Sequence, residues 1–431
     1  MLGLVSAPNR SDAMTFDPWL PFRPERAEAD LQSIHLLQSE CPVKQRDDGA
    51  WLVTSADGVR QVLGRIEDFG GTFGDYSGVN PDDVILPGLG EPLHTMIRRG
   101  VNASVAYQRS VTVKPYLRDL VTQLVGEALA ECEAKGSSDI YQTVLLPVPA
   151  SVIAHLLGVP MEDRWLFTKW GDELCEIQLE GDNFRKPVGE LHPEFAAYLD
   201  RHIEMRKADG GQGEDSISRM MRVAVQEDQP MSDRMIRTQL MNLLVAGNET
   251  TRNLLGSLFY RLVSDQEFHA EIRADRSLIP NFIEETLRLE SPVRFVVRRC
   301  PQGAHLGDAE LGPDSTVLVS LEAANHDPGV WGVPDDFDVR RTDAKEHLAF
   351  GAGRHICPGA FLARIEAELV LETYLDLIET TKLVEGVDYV PNPVYWARGP
   401  ITLPVVLQAA TTTTGPDGSS NAREATKEEM R

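Results

Sequence analysis

The chain has little of what marks secreted, membrane-bound or nucleic-acid-binding proteins. Its 431 residues hold five cysteines, Cys41, Cys132, Cys175, Cys300 and Cys357. They form no CxxC pair and their number is odd, so neither a disulfide framework nor a zinc knuckle is expected. No apolar run reaches the roughly 18 residues that a membrane-crossing helix needs, and the opening MLGLVSAPNRSDAM has too short an apolar stretch for a secretory signal. A cytoplasmic protein without membrane attachment is therefore expected. Basic residues are in deficit, 42 Lys and Arg against 66 Asp and Glu, and the net charge of −24 repels nucleic acid and anionic surfaces on average. No internal repeat is visible, which excludes solenoids and propellers.

What is present is the balance of a globular chain, 42% hydrophobic and 25% charged. The Pro-, Asp- and Arg-rich stretch from Met1 to Arg26 reads as a loosely ordered lead-in. Residues 27–409 read as a single folded domain, and 410–431 as a disordered polar tail. Between the ends helical patterns dominate. From Ser232 to Leu262, apolar or small residues recur every three or four positions through Ile236, Leu240, Leu243, Gly247, Thr251, Leu254 and Leu258. Ser232 is placed to cap this helix. At about 1.5 Å per residue it would run roughly 45 Å through the middle of the fold. A second helix from about Leu278 must stop before Pro292, and a third is expected to start at Pro358. Strand signals occur in AWLVTS after Gly49, in STVLVS around Val317, and as a pair around Val394 and Leu403. The fold class is mainly α with small β-sheets.

The chemistry concentrates in Phe350-Gly-Ala-Gly-Arg-His-Ile-Cys-Pro-Gly359. Gly351 and Gly353 permit a tight turn and close approach to a flat ligand. Cys357 sits where an N-cap would be, with Pro358 at the first helical position. Free N–H groups and the positive helix end then favour thiolate over thiol. Such a cysteine is a metal ligand or a nucleophile. Elsewhere, Glu285 and Arg288 are spaced i,i+3, close enough to bond on one helical face.

The cysteine segment resembles the haem-binding loop of the cytochrome P-450 superfamily, which in its bacterial branch reads F-G-x-G-x-H-x-C-x-G. The resemblance spans roughly Val53 to Val406. Ala246-Gly-Asn-Glu-Thr-Thr251 resembles the family's A-G-x-E-T-T oxygen-activation segment, which implies that Gly247 opens room for a diatomic ligand and that Glu249 and Thr250 relay protons. Glu285 and Arg288 match the family's structural E-x-x-R, with Arg341 or its neighbour Arg340 as third member. His94 and Arg98 fall in an H-x-x-x-R segment, Arg298 stands where a propionate arginine is usual, and His355 takes the histidine place in the cysteine loop; with Phe350, Gly351 and Gly359 they are the implied cofactor-binding set. The chain departs from the family at His326, where Arg is usual, and near Val105, where an aromatic is usual.

The resemblance implies a cytochrome P-450 fold with haem b between the long central helix and the cysteine helix, iron held by Cys357, O2 as co-substrate, and NAD(P)H used indirectly. The haem fold takes nearly all of the chain, so electrons are expected from a separate ferredoxin and ferredoxin reductase. These would dock near the cysteine on a basic patch of Arg354 and Arg364. The implied activity is hydroxylation of a hydrophobic substrate such as a terpenoid, steroid, fatty acid or aromatic, in a pocket containing Leu243, Val293, Phe295, Val296 and Trp396, by a monomer. Two alternatives are a peroxide-driven peroxygenase, which normally lacks the acid and threonine pair, and a non-catalytic haem carrier or gas sensor.

Overall fold

A computed structural model of the chain describes residues 16–71, 76, 78–178, 183, 186–226 and 231–410. The tail expected from residue 410 lies, from 411 onward, outside the described residues.

The central helix, Asp233–Ser264, is capped as expected, with the Ser232 hydroxyl accepting from the Met235 N–H at 3.0 Å. Its residues are buried along most of its length. Three helices pack across it, Pro147–Leu157, Arg164–Gln178 and Pro193–Ala208, and the helix Ile279–Leu289 touches it as well. The cysteine helix, Ala360–Leu377, packs mainly on Lys114–Lys135 and also meets the central helix. One large apolar cluster runs through all of these elements.

The sheets are small and peripheral. Trp51–Val53 pairs antiparallel with Val43–Gln45 and parallel with Ser315–Ser320, which in turn pairs antiparallel with Phe295–Cys300. Side chains alternate across this last strand as a pleated strand requires. Val296 and Cys300 belong to a cluster with Val317 and Val319, whereas Phe295 and Val297 join Leu52 and Leu318 on the opposite face. A second sheet orders Ser138–Asp139, Pro404–Ala409 and Ile378–Leu383.

Three expectations change. The strand pair around Val394 and Leu403 does not form; Pro404–Ala409 pairs instead with Ile378–Leu383, leaving isolated bridges at Val293–Ala397 and Pro391–Pro400. The lead-in is packed from residue 16 on. Phe16 and Phe22 are buried, the Phe16 N–H donates to Ser33 Oγ, and Trp19 meets Phe295 edge-on. Burying these rings stabilises the segment far more than its polar composition suggested, by roughly 2 kcal/mol per large side chain. The cysteine helix begins at Ala360 with Gly359 as its N-cap, two residues later than Pro358 would have placed it.

Candidate active site

The cysteine loop folds back on itself through short backbone bonds. The Cys357 N–H donates to the Phe350 carbonyl at 2.9 Å and the Gly351 N–H to the Leu348 carbonyl at 2.8 Å. Gly351 and Gly353 both have positive φ, 71° and 68°. At Gly353 a Cβ would run into the Leu63 carbonyl, so glycine is demanded twice over, by conformation and by space. Although the helix starts later than expected, the Gly359 and Ala360 N–H groups still favour the charged form of the sulfur. Burial raises the Cys357 thiol above its ordinary value, opposed by those two N–H groups and by the charges of Arg98 and Arg364. A Cβ on Gly359 would lie 3.8 Å from the Sγ, so glycine keeps that side of the sulfur open.

Next to the loop the structure gathers the predicted cofactor-binding set. The His94 and His355 rings lie 4.4 Å apart. His94 is buried, with Nδ1 3.3 Å from Glu91 Oε1 and Nε2 enclosed with no partner. Arg98 donates to the Ile356 carbonyl at 2.5 Å and Arg354 pairs with Glu91. Arg298 is buried on the same face of its strand as Val296 and donates to the Val297 carbonyl at 2.9 Å. Burial pulls the Arg298 guanidinium down to about 10. For His355, burial and then Arg298, His94, Arg98 and Arg354 all act in one direction, holding the imidazole down at about 4. A group of cations and imidazoles that all repel charge at one point, beside an enclosed imidazole nitrogen lacking a partner, fits a doubly anionic ligand edge. The residues present therefore fit haem, a cofactor with two carboxylates at one edge and a metal that a cysteine sulfur can hold.

On the central helix, exposure returns in mid-course. Ala246 is exposed, and Val245, Gly247 and Thr250 are half-exposed, in a helix buried before and after them. The Thr250 hydroxyl donates to the Ala246 carbonyl at 2.8 Å. Glu249 does not share this face. It is buried in an ion pair with Arg252, which also pairs with Asp172, and it accepts from Asn392 at 2.6 Å and from Asn253 at 3.3 Å. Adjacent helical residues diverge by about 100°, so the acid and the threonine are not a contiguous relay. Nor does Gly247 open room for a diatomic ligand, because its missing Cβ would point at Ile153 Cδ1, 3.1 Å away. Its smallness lets two helices approach, and Ala246 takes the open position.

The E-x-x-R expectation resolves in favour of Arg341. Arg288 is bidentate to Glu285, 2.8 Å on each arm, and Arg341 Nε reaches Glu285 Oε1 at 2.9 Å. Arg340 instead pairs with Glu271. The other arginine nitrogens hold the carbonyls of Asn325, Gly332, Val333, Pro334 and Asp336.

Phe295 and Trp396 are not brought to the open face. They pack with Trp19 and Tyr395 on the far side of the sheet. Leu243, Val293 and Val296 remain candidates for a pocket, since Leu243 lies one turn from Ala246 and the two valines are half-buried. Arg364 is also misplaced as half of a basic patch. It is bidentate to Glu284 at 2.6 and 2.7 Å and stacks on Phe350, because a helix-borne arginine next to a buried carboxylate pairs with it. Sequence reading overlooked Glu91, which joins His94 to Arg354, and Gln239, a polar residue inside the apolar stripe of the central helix. That interruption was the available signal.

The family model described as Cytochrome P450 matches residues 52–382. Cytochrome P450 monooxygenase PikC of Streptomyces venezuelae is 33% identical over 72% of this chain and 71% of its own length. The 6-deoxyerythronolide B hydroxylase of Saccharopolyspora erythraea is 30% identical over 83% of this chain and 89% of its own. The solved structure of cytochrome P450 CYP109Q5 from Chondromyces apiculatus superposes with a TM-score of 0.77 at 29% identity, covering 90% of this chain and 97% of that one. Among the described residues no helix is long and apolar enough to cross a membrane. With its likeness to these proteins extending over most of the chain, the protein belongs to the cytochrome P450 family and is a haem-thiolate monooxygenase, using O2 and, through redox partners, NAD(P)H.

Proposed function

We propose that this enzyme hydroxylates an apolar organic molecule, in the terpenoid, steroid, fatty acid or aromatic range, with electrons from a separate ferredoxin and reductase. The observation that carries the reading is the open window at Ala246 and Thr250 in a buried helix, in a protein whose cysteine lies in a glycine-formed loop just before the helix Ala360–Leu377. Bound haem supplies oxygen binding and activation, with the thiolate donating electron density to iron. Cys357 is its ligand, Gly359 and Ala360 hold the sulfur's charge, and His94, Arg98, Arg298 and His355 take the propionates. Phe350 and Gly351 shape the loop.

Thr250 is the residue placed to pass a proton on the open face, its hydroxyl held by the Ala246 carbonyl. Glu249 acts from behind, through the polar network it shares with Arg252 and Asn392. Leu243, Val293 and Val296 present apolar surface to substrate, consistent with a relative named as a hydroxylase of 6-deoxyerythronolide B. One catalytic unit, residues 27–409 with the packed segment 16–26 against it, acts as a cytoplasmic monomer. The ferredoxin docks beside the cysteine loop near Arg354, with Arg364 serving the fold.

The test uses purified haem-replete protein. The reduced carbon monoxide complex of the wild type should show the red-shifted Soret band of thiolate ligation, and Cys357→Ala should lose it. Persistence of the band in that variant sinks the ligand assignment. Product formed with ferredoxin, reductase and NAD(P)H but not with peroxide alone supports the oxygen route, and the reverse pattern makes the enzyme a peroxygenase.

A further inference from the structure

Gln239 lies on the stripe of the central helix that continues through Leu243, Ala246 and Thr250, at spacings of four, three and four residues. At about 1.5 Å per residue it stands roughly 10 Å along the helix from Ala246, beyond Leu243. Its side chain is buried, 1% exposed, and its carboxamide does what a neighbouring β-strand would do. Oε1 accepts from the Leu86 N–H and Nε2 donates to the Val84 carbonyl, both at 2.9 Å. One side chain thereby fixes the backbone of the segment that carries Val84, Ile85, Leu86 and Leu89 and leads into the helix of His94 and Arg98. Val84, Leu86 and Leu89 are buried in the same cluster as Leu240, Leu243 and Leu244.

The same segment is fastened at its other end. Arg234 is bidentate to Asp83 at 2.6 and 2.7 Å, and its Nη2, one of those two donors, also lies 3.9 Å from Glu190 in the short helix Val188–Leu191. The Ser232 hydroxyl, which caps the central helix, is 2.6 Å from Asp82. The 82–86 segment is thus tied to the central helix by three side chains, of which Gln239 stands nearest Ala246 and alone bonds the segment's backbone.

We infer that Gln239 is a specificity-determining positioning residue, whose carboxamide fixes the 84–86 backbone as the far wall of the substrate space that begins at Ala246. This rests on the haem-monooxygenase reading above. Gln is suited to the task because Val84 needs a donor and Leu86 an acceptor. Methionine offers neither, and glutamate offers a second acceptor to a carbonyl that needs a donor. A ligand that reaches only the Ala246 end should be indifferent to the wall, whereas one about 10 Å long should feel it.

The test uses the holoenzyme and two azoles that ligate haem iron, imidazole and a longer biphenylyl-imidazole, followed by their Soret shifts. In Gln239→Met, hydrogen exchange of the 84–89 amides should speed up, and the long azole should leave at least fivefold faster. The dissociation constant of imidazole should stay within twofold. Arg234→Met, at a half-exposed side chain, frees the strap from its outer end and should speed release of the long azole two- to threefold, so the inference does not depend on one buried substitution. Faster exchange with unchanged release of the long azole in both variants would overturn it. Equal weakening of both azoles would also overturn it, placing the effect at the haem seat. A wild type that binds neither azole fails the haem reading itself and takes this inference with it, recognisable because the exchange effect would persist.

Discussion

The cluster around Glu285 and the cluster around His355 both bury arginine, and they treat its charge in opposite ways. At Glu285 one carboxylate meets Arg288 and Arg341, and the remaining guanidinium nitrogens are absorbed by five backbone carbonyls. At His355 the strongest charged neighbours, Arg298, His94, Arg98 and Arg354, push the imidazole the same way as burial does, and burial also pulls Arg298 down. A saturated cluster serves the fold, and one left electrostatically uphill serves a ligand that arrives with the missing charge. The adjacent acids of one helix both take charge-matched partners. Glu285 faces the saturated node, while Glu284 reaches Arg364 of the cysteine helix.

The largest break in this comparison should come from Glu285→Ala. Two buried guanidinium groups would lose their carboxylate, and a loss of about 3–5 kcal/mol is expected, read as a collapse of the thermal unfolding midpoint. A cost below about 1 kcal/mol would mean that the carbonyls alone suffice.

Acid should expose the Glu284 pairing. Burial alone would raise Glu284, but Arg364 and His347 outweigh it and hold the carboxyl at about 2 against an ordinary 4.5. A depressed folded value means the stabilisation is complete above pH 4.5 and is lost as pH falls towards 2. It amounts to about 3 kcal/mol at most. Glu284→Gln should be less stable at neutral pH and flatter across that acid window in unfolding titrations; parallel curves for both proteins would assign the acid loss elsewhere.

Removing one cation from the cluster at His355 should cost the fold little and the ligand more. Arg298→Leu is expected to keep its helical circular dichroism but to release haem to a scavenger globin about tenfold faster, equivalent to about 1.4 kcal/mol. Unchanged haem transfer would remove Arg298 from the propionate set.

The smallest effect concerns the loop that the saturated cluster clamps. Val333 is exposed and has φ +49°, a β-branched residue in the left-handed region, with its carbonyl held by Arg341 at 3.0 Å. Val333→Gly should raise stability by about 1 kcal/mol through relief of strain, offset partly by backbone entropy. A lowered midpoint would show that the valine side chain matters more than its backbone.

Much of this was legible in the chain because it depends on local geometry. Gly351 and Gly353 announce a turn, Ser232 announces a helix start, and Ser315–Ser320 falls where its alternation places it. The members of the cysteine site were legible as motif residues. What each faces was not. Gly247 points at Ile153, Glu249 at Arg252 and Asn392, Phe295 at Trp19, and Arg364 at Glu284. Arg252 stands three residues from Glu249, a pairing that spacing could offer, but Ile153, Asn392, Trp19 and Glu284 come from distant elements, and spacing along the chain carries no information about which of them arrives.

By itself, then, the sequence determined a central helix, a glycine-formed cysteine turn and an inventory of cations, since dihedral preference and apolar period act over a few residues. Packing decided which of Arg340 and Arg341 completes the buried node, where the cysteine helix begins, and that Gln239 ties down a segment some 150 residues upstream. Burial energies and long-range hydrogen bonds are properties of neighbours in space, and only folding chooses those neighbours.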